Sequence, residues 1–291
     1  MNHILENDRL KIEIADHGAE LSSIYDKKQH HEVLWQADPA YWKRHAPVLF
    51  PNVGKTWQNT YTYNGVSYPT KQHGFARDMV FECIYKDSRS ITHRLCDNET
   101  TFKEYPFHFN LEITQTLIEN TIQIQWKVIN TDDKTMYYTI GAHPAFRVPV
   151  LDGTEQKDYY LTFKSDNPSY ILLDPAHGTA NADTAYTLET ANGRCKIGDG
   201  RFYKDALVFD NQIAWAGIAY PDGTPYVSVS CEGFPNFGIW SAKNDAPFVC
   251  LEPWDGRCDN CGFEGDISEK PGIVSLEAGK TYTKSYLITI H

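Results

Sequence analysis

Leu111-Glu112-Ile113-Thr114-Gln115-Thr116-Leu117 and Ile122-Gln123-Ile124-Gln125-Trp126-Lys127-Val128 are the two runs whose reading decides the fold class. Each alternates apolar with polar residues, the period of a strand that buries one face, and Asn120-Thr121 between them reads as a hairpin turn. The two runs are therefore expected to pair antiparallel. Working outward, Leu10-Lys11-Ile12-Glu13-Ile14 alternates in the same way, and Tyr63-Asn64-Gly65-Val66 carries an Asn-Gly turn signal. Pro225 to Ser230, Phe248 to Leu251 and a closing run from Tyr282 to Ile290 continue the pattern, bounded by Gly, Pro and Asp.

No long amphipathic helix is legible. Short helical turns fit only places such as Asp38 to Lys43, where Asp-Pro suits a helix start. The polar stretch from Asp174 to Gly200 has loop composition, yet strand-like sequence resumes on both sides without a Gly/Ser- or Pro-rich linker. Residues 1–291 are accordingly predicted to form a single all-β domain, a large antiparallel β-sandwich of two sheets packed face to face. A propeller is disfavoured because no self-similarity recurs at a fixed period.

The composition suits such a core: 291 residues, 41% hydrophobic and 13% aromatic. A formal net charge of -11 speaks against nucleic acid and anionic membranes as partners, since neither polyanion is attracted to such a surface. Met1-Asn2-His3-Ile4-Leu5-Glu6 lacks the basic start and apolar run of a secretory signal, and no stretch reaches membrane-spanning length. Seven irregularly spaced cysteines suggest reduced thiols, hence a cytoplasmic protein. Oligomeric state is left open, because a strand edge can be paired or covered without a mark in the sequence.

Five polar segments stand out against this apolar background. His73 and Arg77 share the turn Lys71-Gln72-His73-Gly74-Phe75-Ala76-Arg77, where both side chains can face a ligand; a histidine bonded within its loop is the plainer alternative. His143 follows a strand and precedes Pro144, whose fixed φ makes a rigid platform. Glu252 follows the apolar run Phe248-Val249-Cys250-Leu251, where burial would raise its basicity, and a structural ion pair is the alternative. Trp254 offers a flat apolar face to a sugar ring or serves the core. Arg44 can donate several hydrogen bonds to vicinal hydroxyls, and Asp205 could anchor another hydroxyl. Cys258-Asp259-Asn260-Cys261 has the spacing of half a zinc site, but its partner half is missing, so no metal is expected.

In this order, Arg-His-Ala-Pro-Val-Leu-Phe-Pro (44–51), His-Gly-Phe-Ala-Arg (73–77), Gly-Ala-His-Pro-Ala-Phe (141–146), Gly-Phe-Pro-Asn-Phe-Gly-Ile-Trp-Ser (233–241) and Leu-Glu-Pro-Trp (251–254) span nearly the whole chain. Together they resemble the aldose 1-epimerase (galactose mutarotase-like) family, and particularly its bacterial branch associated with lactose and tagatose-phosphate gene clusters. The resemblance implies a β-supersandwich with an open cleft and interconversion of sugar anomers without metal or cofactor. It gives Glu252 the role of general base and His143 that of general acid. By the same likeness, His73 hydrogen-bonds the ring oxygen or a neighbouring hydroxyl, while Arg44, Arg77 and Asp205 hold the sugar.

For His143 to act as an acid near neutral pH it must start protonated, which calls for a supporting carboxylate or other acceptor nearby. The wording around Arg44 and Asp205 departs from better-studied galactose mutarotases, leaving the sugar open. The cations Lys43, Arg44, Lys55, Lys71 and Arg77 suit a sugar phosphate as partner, as a free hexose suits the neutral reading. Two rivals compete: a non-catalytic carbohydrate-binding or sugar-sensing protein on the same fold, and a glycosidase using Glu252 with Asp255.

Overall fold

A computed structural model describes residues 1–242 and 246–291 of the chain. The decisive runs form a long hairpin, Phe109–Ile118 against Thr121–Asn130, with Leu111 opposite Val128, Ile113 opposite Trp126 and Leu117 opposite Ile122. All six side chains are buried. Full burial of each such residue stabilises by about 1.5–3 kcal/mol. On the opposite face Glu112 is held by Arg94 at 2.6 Å and Lys127 at 3.1 Å. The turn is centred on Glu119-Asn120, one residue earlier than the sequence suggests, with Glu119 at φ 52 and Thr121 already in the strand. The Asn64-Gly65 turn stands where expected, both residues at positive φ.

Among the described residues this hairpin lies within a nine-stranded sheet. From one edge its strands are Arg194–Lys196, Tyr160–Phe163, Trp215–Ala219, Pro225–Ser230, Thr281–Ile290, Thr121–Asn130, Phe109–Ile118, Ser90–Cys96 and Glu82–Lys86. A second, eight-stranded sheet runs Ala180–Thr187, Ser169–Leu173, Leu207–Asp210, Asn236–Trp240, Phe248–Asp255, Ile140–Ala142 and Val48–Leu49, and Ala145–Arg147 also pairs with Phe248–Asp255. The sheets share a buried core. Phe163 of the first meets Phe209 of the second at 6.1 Å between ring centroids. Every pairing between these strands is antiparallel, and the N-terminal strands Asn2–Glu6, Leu10–Ala15, Leu21–Asp26 and His31–Glu32 form a further small sheet.

Three local readings change. The polar stretch 174–200 contains two edge strands, Ala180–Thr187 and Arg194–Lys196. Ala180–Thr187 is exposed along nearly its whole length, so it has no apolar face to announce it. Asp38 to Lys43 makes a single turn, the Tyr41 and Trp42 amides both donating to Asp38 O at 3.0 Å. A short α-helix, Glu99–Glu104, went unread; it is set by Asn98, whose Oδ1 accepts from Thr100 N and Thr101 N.

Pro253 does not end the strand before it, because Phe248–Asp255 runs on through the sheet interior. Leu251 N donates to Pro144 O, so residue 253, two positions along, aims its nitrogen toward the same side. There the neighbouring chain is broken at His143-Pro144, between the strands Ile140–Ala142 and Ala145–Arg147. A proline, which donates nothing, costs no ladder bond at that gap. The same break turns His143 toward the strand that carries Glu252.

Candidate functional site

The cleft beside this break has a volume of about 560 Å³, within the range of small-molecule sites. Arg44, His73, Arg77, His143, Asp205, Glu252 and Trp254 all line it. They arrive from five chain segments, and the central strand contributes two of them, Glu252 and Trp254, two residues apart on one face.

His143 Nε2 lies 3.2 Å from Glu252 Oε2, and both residues are almost wholly buried. The imidazole stacks on Trp42 at 4.7 Å and meets His73 and Trp240 edge-on at 5.5 Å. Burial, reinforced by the Asp205 carboxylate and partly offset by the Trp254 indole N–H, raises Glu252 well above the usual carboxyl range. Burial, aided by the guanidinium of Arg77 and then that of Arg44, lowers His143 to about 3. Both shifts favour a neutral carboxyl group beside a neutral imidazole, and the carboxyl partner that the sequence calls for stands 3.2 Å from the ring.

His73 sits at φ 67, and its Nδ1 accepts the Gly54 amide at 3.0 Å. Burial, then His143, Arg77 and Arg44, keep it neutral, so Nε2 carries the ring's proton and acts as a donor. Its neighbour Gly74 is required by space as well as by its φ of +68, since a Cβ there would lie 2.2 Å from Phe50 O. Arg44 Nη2 bonds Asp78 Oδ1 at 2.8 Å, while Arg77 Nη2 donates to Gln72 O at 2.6 Å. Burial and the proximity of Arg44 bring Arg77 down to about 10, still a cation at neutral pH. Asp205 is exposed at the cleft mouth with φ 79, a left-handed conformation costly for a side-chain-bearing residue.

Trp254 is only 5% exposed and packs among Leu49, Val53, Val208 and Cys258. It forms a cleft wall more than a free stacking face. Glycines on both neighbouring strands make room for it: a Cβ on Gly238 would lie 2.4 Å from the indole, and one on Gly141 2.5 Å. Gly238→Ala is therefore expected to destabilise the fold by about 1–3 kcal/mol, read as a lower denaturation midpoint at unchanged m value. An unchanged midpoint would show that the indole shifts without strain. Half-buried Trp42 and Trp240, which the sequence reading did not select, offer aromatic surface in the cleft. Their signal was position, one just before Arg44 and the other at the end of the strand Asn236–Trp240.

Other candidates separate. Asp255 turns to the opposite face, where Lys284 Nζ at 2.7 Å and Tyr282 OH hold it, so it makes no carboxylate pair with Glu252. Lys71 leaves the cationic group and pairs with Glu104 at 2.8 Å in a smaller cavity of about 160 Å³. Lys43, Arg44 and Arg77 remain in the cleft, with Lys55 packed against its lining residue Gly178. Cys258 is buried in the cleft wall, whereas Cys261 is exposed and contacts Thr179. Among the described residues no helix is long and apolar enough to cross a membrane. His143 Nδ1, Arg77 Nε and Glu252 Oε2 are buried without hydrogen-bond partners among the described residues, a concentration of unmet polar atoms that a polar ligand would relieve.

Known proteins agree with this architecture over its whole length. The aldose 1-epimerase family model matches residues 2–289. The chromosomally encoded protein LacX of Lactococcus lactis subsp. lactis is 31% identical over 98% of each chain. A galactose mutarotase related enzyme from Lactobacillus acidophilus is 34% identical, with a TM-score of 0.95 over 100% of this chain and 97% of its own. A galactose mutarotase-like protein from Lactobacillus casei is 30% identical, with a TM-score of 0.91 over the full length of both. The chain belongs to the aldose 1-epimerase family.

Proposed function

We propose that the protein is an aldose 1-epimerase acting on a hexose, free or phosphorylated, with Glu252 and His143 as its proton-transfer pair. The observation that carries this reading is the 3.2 Å approach of His143 Nε2 to Glu252 Oε2 inside a cleft of about 560 Å³. Simple recognition has no need of an acid and a base in contact.

A neutral acid beside a neutral base holds one transferable proton, the same number as a carboxylate beside an imidazolium. Passage of that proton from Glu252 to His143 across the short gap yields the reactive form. Glu252 then takes the proton of the anomeric hydroxyl while His143 gives its own to the ring oxygen. The C1–O5 bond breaks, the anomeric C–O bond becomes a carbonyl, and the open aldehyde forms. Rotation about C1–C2 presents the other carbonyl face, and the reversed transfers close the opposite anomer and restore the pair. His73 Nε2–H donates to the ring oxygen or a neighbouring hydroxyl, while Arg44, Arg77 and Asp205 hold the remaining hydroxyls. The cationic wall of Lys43, Arg44 and Arg77 suits a phosphate substituent.

Anomer exchange followed by NMR, with glucose, galactose and their 6-phosphates in parallel, tests the reading. Acceleration of at least one sugar supports it and identifies the sugar class. Ligand-induced shifts without acceleration for any of the four would move the protein to the sugar-binding alternative.

The proton count also sets the pH dependence. The pair gains a second proton only in acid, because His143 is lowered to about 3, and loses its last one above the ordinary carboxyl range. The expected acid limb of kcat/KM therefore lies far below pH 6.5, where a free imidazole would titrate. An acid limb centred at pH 6.5 would show that His143 keeps an ordinary pKa and acts alone.

A further inference from the structure

A second group of ligating side chains lies away from the cleft, where the N-terminal strand meets the edge of the nine-stranded sheet. One ring nitrogen of His3, one of His93 and Cys83 Sγ lie within 4.8 Å of one another. The sheet register unites two of them, since Cys83 and His93 are directly opposed on the strands Glu82–Lys86 and Ser90–Cys96. His3 comes from Asn2–Glu6, its ring meeting that of His93 edge to face at 5.3 Å.

Asp16 provides an independent observation. Its Oδ1 lies 2.7 Å from His3 Nε2 and 3.2 Å from His93 Nε2. Metal-bound imidazoles characteristically give their other ring N–H to a carboxylate, which fixes the tautomer and the ring orientation. With both Nε2 atoms so engaged, Nδ1 is the nitrogen left on each ring. Nδ1 of His93, a residue with no exposed surface, has no hydrogen-bond partner among the described residues.

From this arrangement we propose that His3, His93 and Cys83 bind a zinc ion, with Asp16 orienting both imidazoles. Two nitrogens and one sulfur match the donor preference of zinc, with a water completing the tetrahedron. The ligand atoms must draw together to reach Zn–N of about 2.0–2.1 Å and Zn–S of about 2.3 Å. Cys83 gives up its thiol proton and its long contact to Tyr85 O at 3.6 Å. The ion would tie the first strand to the sheet edge and stabilise the fold.

His143, Cys250 and Glu252 form another trio within 4.8 Å, so the experiment must separate the two places. Full-length protein, tagged at its C-terminus because the Met1 amino group lies 2.9 Å from Asp16, is stripped with a chelator and titrated with Co²⁺ and then Zn²⁺. The expected result is one Co²⁺ per chain with a thiolate-to-cobalt charge-transfer band, lost in Cys83→Ser and retained in Cys250→Ser. Asp16→Asn should weaken binding about 10–100-fold. Zn²⁺ at a hundredfold excess over its Kd should raise the Tm by about 5 °C. Absence of stoichiometric Co²⁺ binding, or a band that survives Cys83→Ser, overturns the proposal. Neither outcome depends on catalytic activity at the cleft.

Discussion

Glu252→Gln is expected to lower kcat by about 10²–10⁴-fold and leave the fold intact. The amide can neither take the anomeric proton nor hand one to His143, so both halves of the transfer stop. Retention of the fold follows from the resting state: burial keeps Glu252 a neutral acid, and glutamine closely copies that form in size and charge. The main difference at rest is the amide NH₂, which sits near an imidazole nitrogen able to accept from it. Substrate KM should change little if the carboxyl group works mainly in the transition state. Anomer exchange by NMR together with the denaturation midpoint checks both halves. Wild-type exchange in a folded Glu252→Gln protein would remove Glu252 from the reaction.

His143→Gln is expected to cause a loss of the same order, about 10²–10⁴-fold, because no other group among the described residues is placed to protonate the ring oxygen while facing Glu252. It should also cost some stability, since the imidazole packs on Trp42 at 4.7 Å and against the edges of His73 and Trp240. The informative comparison is the double variant. One proton serves both residues, so removing either disables the other, and Glu252→Gln with His143→Gln should be no slower than the worse single variant. Losses that multiplied would mean two independent contributions and a different division of labour.

These expectations rest on features of unequal visibility in the sequence. His143 and Glu252 are legible because each is a polar residue that follows an apolar run and precedes a proline. Asp255 is near Glu252 in sequence, but strand alternation sends it to Lys284, as the period of two allows, and the carboxylate that acts on Glu252 is Asp205, far off in sequence. Trp42 and Trp240 were read only as parts of longer segments. Their place around His143 depends on the turn at Asp38 and on the pairing of Asn236–Trp240 with Phe248–Asp255, both long-range outcomes.

By itself the sequence determined the all-β class, the antiparallel hairpins and the polar residues worth following, because side-chain alternation, turn residues and proline act within a few positions of the chain. Tertiary structure decided the rest. It fitted Pro253 into a central strand by breaking the neighbouring one, sent Lys71 to Glu104, and packed Trp254 between two glycines. It also enclosed the pair in surroundings that favour its uncharged forms. Desolvation and the fields of Arg44, Arg77 and Asp205 depend on which distant segments enclose a group, and those enclosures exist only once the sheets have closed around the cleft.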